Sequence, residues 1–250
     1  MTAFTRSLLP QPHLLVLLLL LLSTIASAQD AIYYASLNRT VRLGHYDGVQ
    51  TLQEIKKHGD FGLGSIERIA GELVMVNDTA YQFSSDGKAK VMEAQTKLPF
   101  AAVKFFKAEK TYDLDKPYTL KELQRFLDSV LYKNSFAALR ISGQFNTIEY
   151  FCYEPQQKPY KPIEQAAKKT IVNANTAGIL VGFHSPRSAE VINSPEYHFH
   201  FLNAQRNSGG HVQDCQLKKV RIEIDYADQL IVNLPDPESL TDIDLQQPIK

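Results

Sequence analysis

Apolar and polar residues alternate along most of this chain with a period of two. Side chains two residues apart share one face of a β-strand, so each such run predicts a strand with one buried face. The clearest is Glu196-Tyr197-His198-Phe199-His200-Phe201-Leu202, which interleaves aromatic and imidazole side chains without a break. Residues 71–76 lead into Asn77-Asp78 and residues 80–83 follow, which predicts a hairpin with a further turn at Asp86-Gly87. Residues 101–106, 137–141, 147–153, 178–183, 197–202, 211–217 and 220–224 read as additional strands.

Helical signals are few. Thr51-Leu52-Gln53-Glu54 and Thr119-Leu120-Lys121-Glu122 are capping boxes, in which the threonine hydroxyl and the glutamate carboxylate satisfy each other's backbone amides. The second opens an amphipathic run with Leu120, Leu123, Leu127, Val130 and Leu131 on one face. A short third helix is predicted over residues 163–169, after Pro162, and the proline-rich stretch 153–162 must be extended. The sum is an α+β, mostly β fold of two sheet-based subdomains, residues 29–135 and 136–250, with the 120–131 helix near their join.

The first residues belong to a different pattern. Arg6 precedes a wholly apolar run at 14–22, and Ala26-Ser27-Ala28 follows, the layout of a secretory signal peptide cleaved before Gln29. A membrane anchor is the alternative, but the run is short for a span of about 20 residues and Ser23 and Thr24 follow at once. The expectation is an exported protein, periplasmic or secreted, with no membrane attachment after cleavage. With 27 basic and 27 acidic residues, it has no electrostatic reason to seek nucleic acid. Export permits a disulfide, and the spacing of Cys152 and Cys215 leaves open whether they bond or remain two thiols. Asn38-Arg39-Thr40 and Asn77-Asp78-Thr79 match a glycosylation sequon too short to carry weight.

His198 and His200 share a strand face, opposite Tyr197, Phe199 and Phe201. The turn formers of 203–210 then allow His211 to return beside them. Three imidazoles suit zinc, and three protein ligands leave a coordination position open for chemistry, whereas a structural site wants four. Two surface histidines and an unrelated third would be the plainer reading of His-x-His alone. Gln213 and Asp214 could orient a ligand from behind, His184 is a weaker candidate, and His45 and His58 read as polar surface residues near turns.

At these residues the chain resembles the acetolactate decarboxylases. His198-Phe199-His200-Phe201 with 206–212 (Arg-Asn-Ser-Gly-Gly-His-Val) is similar to that family's zinc-binding segment. Tyr46-Asp47-Gly48, the 58–64 stretch ending Gly-Asp-Phe-Gly-Leu-Gly, Gly71-Glu72-Leu73, Arg140-Ile141-Ser142-Gly143-Gln144-Phe145, Lys158-Pro159-Tyr160-Lys161-Pro162 and Gly182-Phe183 with Pro186 resemble further family blocks in the same order. The resemblance implies zinc-dependent conversion of 2-acetolactate, a small 2-hydroxy-3-oxo acid, to acetoin and carbon dioxide. It implies Glu72 and Arg140 beside the metal as catalytic groups, Arg140 and Ser65 as substrate contacts, and a homodimer. One departure stands out: no glutamate of the tail aligns with the one the family brings to its site, and Glu238 and Asp244 are the carboxylates on offer. An exported zinc-binding module without catalysis is the alternative function.

Overall fold

The computed structural model describes residues 30–246; the expected signal segment 1–28 and Gln29 lie outside them. In chain order the strands are β1 (Ala31–Ala35), β2 (Gln50–Thr51), β3 (Phe61–Ser65), β4 (Glu72–Val76), β5 (Thr79–Phe83), β6 (Ala89–Val91), β7 (Lys97–Leu98) and β8 (Phe100–Lys104). They continue with β9 (Lys110–Leu114), β10 (Tyr118–Thr119), β11 (Phe136–Tyr153), β12 (Lys168–Ser185), β13 (Glu196–Asn203), β14 (Gly209–Ala227) and β15 (Gln229–Asn233). The α-helices among the described residues are α1 (Asn38–Arg42), α2 (Leu52–Ile55) and α3 (Leu120–Val130). None is long and apolar enough to cross a membrane.

Two large sheets build the molecule, with a two-stranded ladder of β2 and β7 beside them. The first has seven strands in the order β15-β1-β8-β3-β4-β5-β6, antiparallel except where β15 lies parallel to β1. The second is organised on three long antiparallel strands, with β11 between β12 and β14. The far edge of β14 takes β9, β10 and, at its start, β13. Because β13 also pairs with β12, the ladder β14-β11-β12-β13 closes on itself. Sheet membership follows no single cut at residue 135: β9, β10 and α3 join the second sheet, and β15 crosses back to the first.

Alternation assigns each face to a core. Ile32, Phe61, Leu63, Val74 and Val76 of the first sheet meet Ala138, Cys152, Val181 and Phe183 of the second in a core between the sheets. Leu139, Ile141, Leu180 and Phe201 point the other way, to a core closed by Leu123 and Leu127. So α3 covers the outer face of the second sheet and does not lie at the join, as its position in the sequence suggested. Its capping box forms as expected, with Thr119 N–H and hydroxyl both donating to Glu122 at 2.8 and 2.9 Å. The two cysteines fall in different cores, Cys152 in the first and Cys215 in the second, and both are free thiols.

Other expectations shift at their edges. The pairs 137–141 with 147–153, and 211–217 with 220–224, are single strands of 18 and 19 residues. The helix predicted at 163–169 is one turn, Ile163–Gln165, because Lys168 and Lys169 already pair with Tyr153 and Cys152 in the β11–β12 ladder. At the tip of the β4–β5 hairpin, Asn77 and Asp78 adopt φ of 50° and 62°, the left-handed pair that a two-residue hairpin turn requires.

Candidate metal centre

β13 carries out what its alternation dictates. Phe199 and Phe201 enter the outer core, Phe201 meeting Phe145 edge-on at 5.4 Å. His198 and His200 project to the opposite side, toward the first sheet, and are 5% and 1% exposed. The chain then reverses through a turn held by the Asn203 carboxamide oxygen, which accepts from the amides of Asn207 and Ser208 at 2.9 and 3.1 Å. Gly209 allows the return to be this tight: a Cβ there would lie 2.1 Å from the Phe201 carbonyl oxygen. His211 consequently pairs directly across from His200. One nitrogen from each of His198, His200 and His211 lies within 4.8 Å of the others.

Each ring on β13 has its outer nitrogen anchored. His200 Nδ1 lies 2.8 Å from the carbonyl oxygen of Leu73. A carbonyl only accepts, so Nδ1 carries the proton and Nε2 offers its lone pair inward. His198 Nδ1 lies 3.0 Å from Asn193 Oδ1, an equivalent arrangement with a side-chain acceptor. Burial depresses all three pKa values, His200 to about 4 and the other two well below the ordinary histidine value, where neighbouring imidazoles add to the effect. Neutral, pre-oriented, converging imidazoles are what a metal ion requires of its ligands, so the donor set fits the expected group.

The triad opens on a cavity of about 340 Å³ between the sheets. Glu72, at the start of β4, lines it, 3% exposed, with Oε2 3.6 Å from His200 Nε2. Burial pushes its carboxyl up to about 8. Ser65 faces Glu72 across the β3–β4 ladder, and its buried Oγ, also on the cavity, has no hydrogen-bond partner. Phe100 and Ile69 supply apolar wall, and Tyr153, Lys168 and the Arg42–Glu164 ion pair (3.0 Å) also line it.

Several expected residues lie elsewhere. Arg140 shares a cross-strand row with Val181 and His200, two strands from the β13 histidines, and lies far along β11 from Phe151, the partner of His211. Its guanidinium rests 4.4 Å from the Phe106 ring centroid and 5.3 Å from that of Phe61, near Asn77 and Glu223, and does not line the cavity. Glu238 and Asp244 are exposed and also absent from the lining. Gln213 bonds Glu149, and Asp214 accepts from the Cys215 amide, so neither orients a histidine. His184 faces away and bonds the Ser135 carbonyl. His45 is buried, and His58 stacks on Tyr33 at 3.8 Å. Sequence reasoning missed Asn193 and Lys168. The first is one asparagine in an irregular loop, with no pattern to mark it, and the second fell inside the predicted helix.

The model of the family described as "Alpha-acetolactate decarboxylase" matches residues 32–247. The chain belongs to the alpha-acetolactate decarboxylase family. Among its relatives, the alpha-acetolactate decarboxylase of Methanosarcina mazei is 35% identical over 84% of this chain and 74% of its own. That of Bacillus subtilis is 34% identical over 87% and 86%. The X-ray structure of the Bacillus subtilis alpha-acetolactate decarboxylase superposes with a TM-score of 0.84 at 33% identity, covering 87% of this chain and 94% of that one. Two blocks that suggested the family meet in this member: Lys158 Nζ and Tyr160 Oη both donate to Asp47, at 2.6 and 3.0 Å, and Tyr46 Oη donates to the Lys161 carbonyl. This clasp draws the 158–163 segment over the cavity, where Ile163 contributes to the wall.

Proposed function

We propose that the protein decarboxylates 2-acetolactate to acetoin and carbon dioxide at a zinc ion held by His198, His200 and His211. The observation that carries the reading is the meeting of three neutral imidazoles and one buried carboxyl, Glu72, in a single cavity. Family membership supports the substrate, and three nitrogen ligands with room beside them support a catalytic zinc. When bound, the metal supplies Lewis-acid polarisation of the substrate's adjacent hydroxyl and ketone oxygens.

The chain's own groups do the rest. Breaking the bond to the carboxylate carbon releases carbon dioxide and leaves its electron pair on the neighbouring carbon, delocalised into the ketone as an enediolate. That species needs one proton at carbon. Glu72 stands beside the triad, takes the proton of the substrate hydroxyl and returns it to this carbon, and a solvent proton restores the hydroxyl. Ser65 Oγ, buried and unpartnered, donates to a substrate oxygen. Phe100 and Ile69 keep bulk water from the carbanionic carbon. Mixing the zinc-loaded protein with acetolactate and assaying acetoin tests the reading directly. Product that depends on the protein supports it, and zinc-loaded protein that yields none leaves a metal-binding module without catalysis.

We extend the proposal to export and self-association. The apolar run at 14–22 and Ala26-Ser27-Ala28 support cleavage before Gln29, which N-terminal sequencing of the secreted protein checks. The family resemblance supports a homodimer, which sedimentation equilibrium checks.

A further inference from the structure

We infer that Lys168, and not Arg140, holds the carboxylate of the substrate at the mouth of the metal cavity; the inference rests on the decarboxylase reading. An anionic substrate must be oriented by a cation, and two basic side chains, Arg42 and Lys168, line the cavity among the described residues. Arg42 already has its charge answered by Glu164 at 3.0 Å. Arg140 is committed to the Phe61 and Phe106 rings. The Lys168 ammonium sits 3.8 Å from the Phe151 ring centroid, and no carboxylate pairs with it among the described residues.

The fold puts this ammonium close to the metal. Phe151 is the cross-strand partner of His211, and the two rings stack with centroids 4.7 Å apart. Lys168 is the cross-strand partner of Tyr153, two residues on. One end of the β11–β12–β14 ladder therefore brings together a metal ligand, the aromatic ring beside it and a cation resting on that ring. The face of Phe151 is electron-rich and holds the ammonium by its quadrupole without neutralising it, so the charge remains available to a ligand.

The chemistry fixes what such a cation does. Negative charge leaves the carboxylate as carbon dioxide departs and moves to the ketone oxygen. A cation at the carboxylate thus favours the bound substrate over the transition state, and its removal raises KM without lowering kcat. Charge-assisted hydrogen bonds and the exposure of the site together set the size at about tenfold in affinity.

The test uses two probes that cannot decarboxylate, 2,3-dihydroxy-2-methylbutanoate and its uncharged methyl ester, titrated calorimetrically into the metal-loaded protein. We expect wild type to bind the acid about tenfold more tightly than the ester, with the preference shrinking as salt rises. Lys168→Met should bind both probes alike with ester affinity unchanged, Lys168→Arg should restore the preference, and Arg140→Met should keep it. An acid preference that survives in Lys168→Met overturns the inference. So does loss of ester binding in that variant, which would mark a structural role, and so does loss of the preference in Arg140→Met. Acetoin formation by wild type is scored separately: no acetoin with a Lys168-dependent acid preference would end the decarboxylase reading and leave the anion site standing.

Discussion

His200 of the second sheet bonds through Nδ1 to the backbone carbonyl of Leu73 in the first, at 2.8 Å, and Leu73 is the residue next to Glu72. The same contact sets the tautomer of a triad histidine and fixes that ring relative to the carboxyl proposed to move a proton. The join between the sheets and the reactive centre are therefore one structure. Any variant that lets the sheets slip will be read first as a change in the site.

Asn193 performs for His198 the service that Leu73 performs for His200. Asn193→Ala should fold and still bind metal, with affinity lowered about 10–100-fold, the usual cost of losing a ligand's outer partner. Competition against a chelator of known affinity measures it. Unchanged affinity would mean that packing alone, with Phe100 stacked on His198 at 6.3 Å, orients the ring.

Glu72 links metal uptake to protons. Its carboxyl is raised to about 8 by burial, so at pH 7 the metal-free site holds this proton. A dication entering beside it lowers the pKa and expels the proton, so metal affinity rises with pH up to about 8 and levels off above. The histidines, already neutral at pH 7, release none. Calorimetry of metal binding in buffers of different ionisation enthalpy should show net proton release for wild type and almost none for Glu72→Gln. The same variant should keep its metal and lose about 10²–10⁴-fold in acetoin formation.

A buried ion pair ties the sheets at another point. Lys104 Nζ of β8 lies 3.1 Å from Asp225 Oδ1 of β14, with side chains 1% and 2% exposed, and Asp225 Oδ2 accepts from the Lys107 amide at 2.8 Å. Asp225→Ala takes from the buried Lys104 ammonium its shorter carboxylate contact and leaves the longer one to Asp30 at 3.7 Å, so it should lower stability by about 3 kcal/mol, the low end for a broken buried pair. Urea denaturation reads the loss. The metal content of the folded fraction should stay at the wild-type value, since Asp225 does not line the cavity.

How much of this was legible depended on what kind of signal each residue leaves. The 196–202 alternation located two histidines of the triad and their aromatic underside, because a period of two translates directly into faces. The turn residues before His211 located the third. Ser65 and Glu72 carried no pattern of their own and emerged through resemblance. Arg140 shows the limit of that route: its motif is present, but the ladder sets it two strands from His200 and far along β11 from the partner of His211, where two phenylalanine rings hold its guanidinium. Lys168 was hidden by a capping-like proline and a run of helix formers, whose local preference lost to pairing with β11. The long strands were read in pieces because Gly143 and the Lys218-Lys219 pair interrupt alternation that the ladder carries through.

Arg140→Met separates motif from position. With the guanidinium outside the cavity, KM and metal content should change less than about threefold, while stability falls by the order of 1 kcal/mol for the lost cation–π and packing contacts. Thermal unfolding and steady-state kinetics on one preparation decide it. A kcat lowered a hundredfold with unchanged fold would return Arg140 to the reactive centre.

The central claim is that one metal ion on His198, His200 and His211 decarboxylates acetolactate, and a strip-and-restore assay tests it most directly. Metal is removed from wild type with a chelator, zinc is returned in stoichiometric steps, and acetoin formation is followed at each step beside His200→Ala. Activity should vanish on removal, rise linearly, and saturate at one zinc per chain, while folded His200→Ala neither retains stoichiometric zinc nor makes acetoin. Full activity in the stripped protein, or in His200→Ala, would contradict the claim.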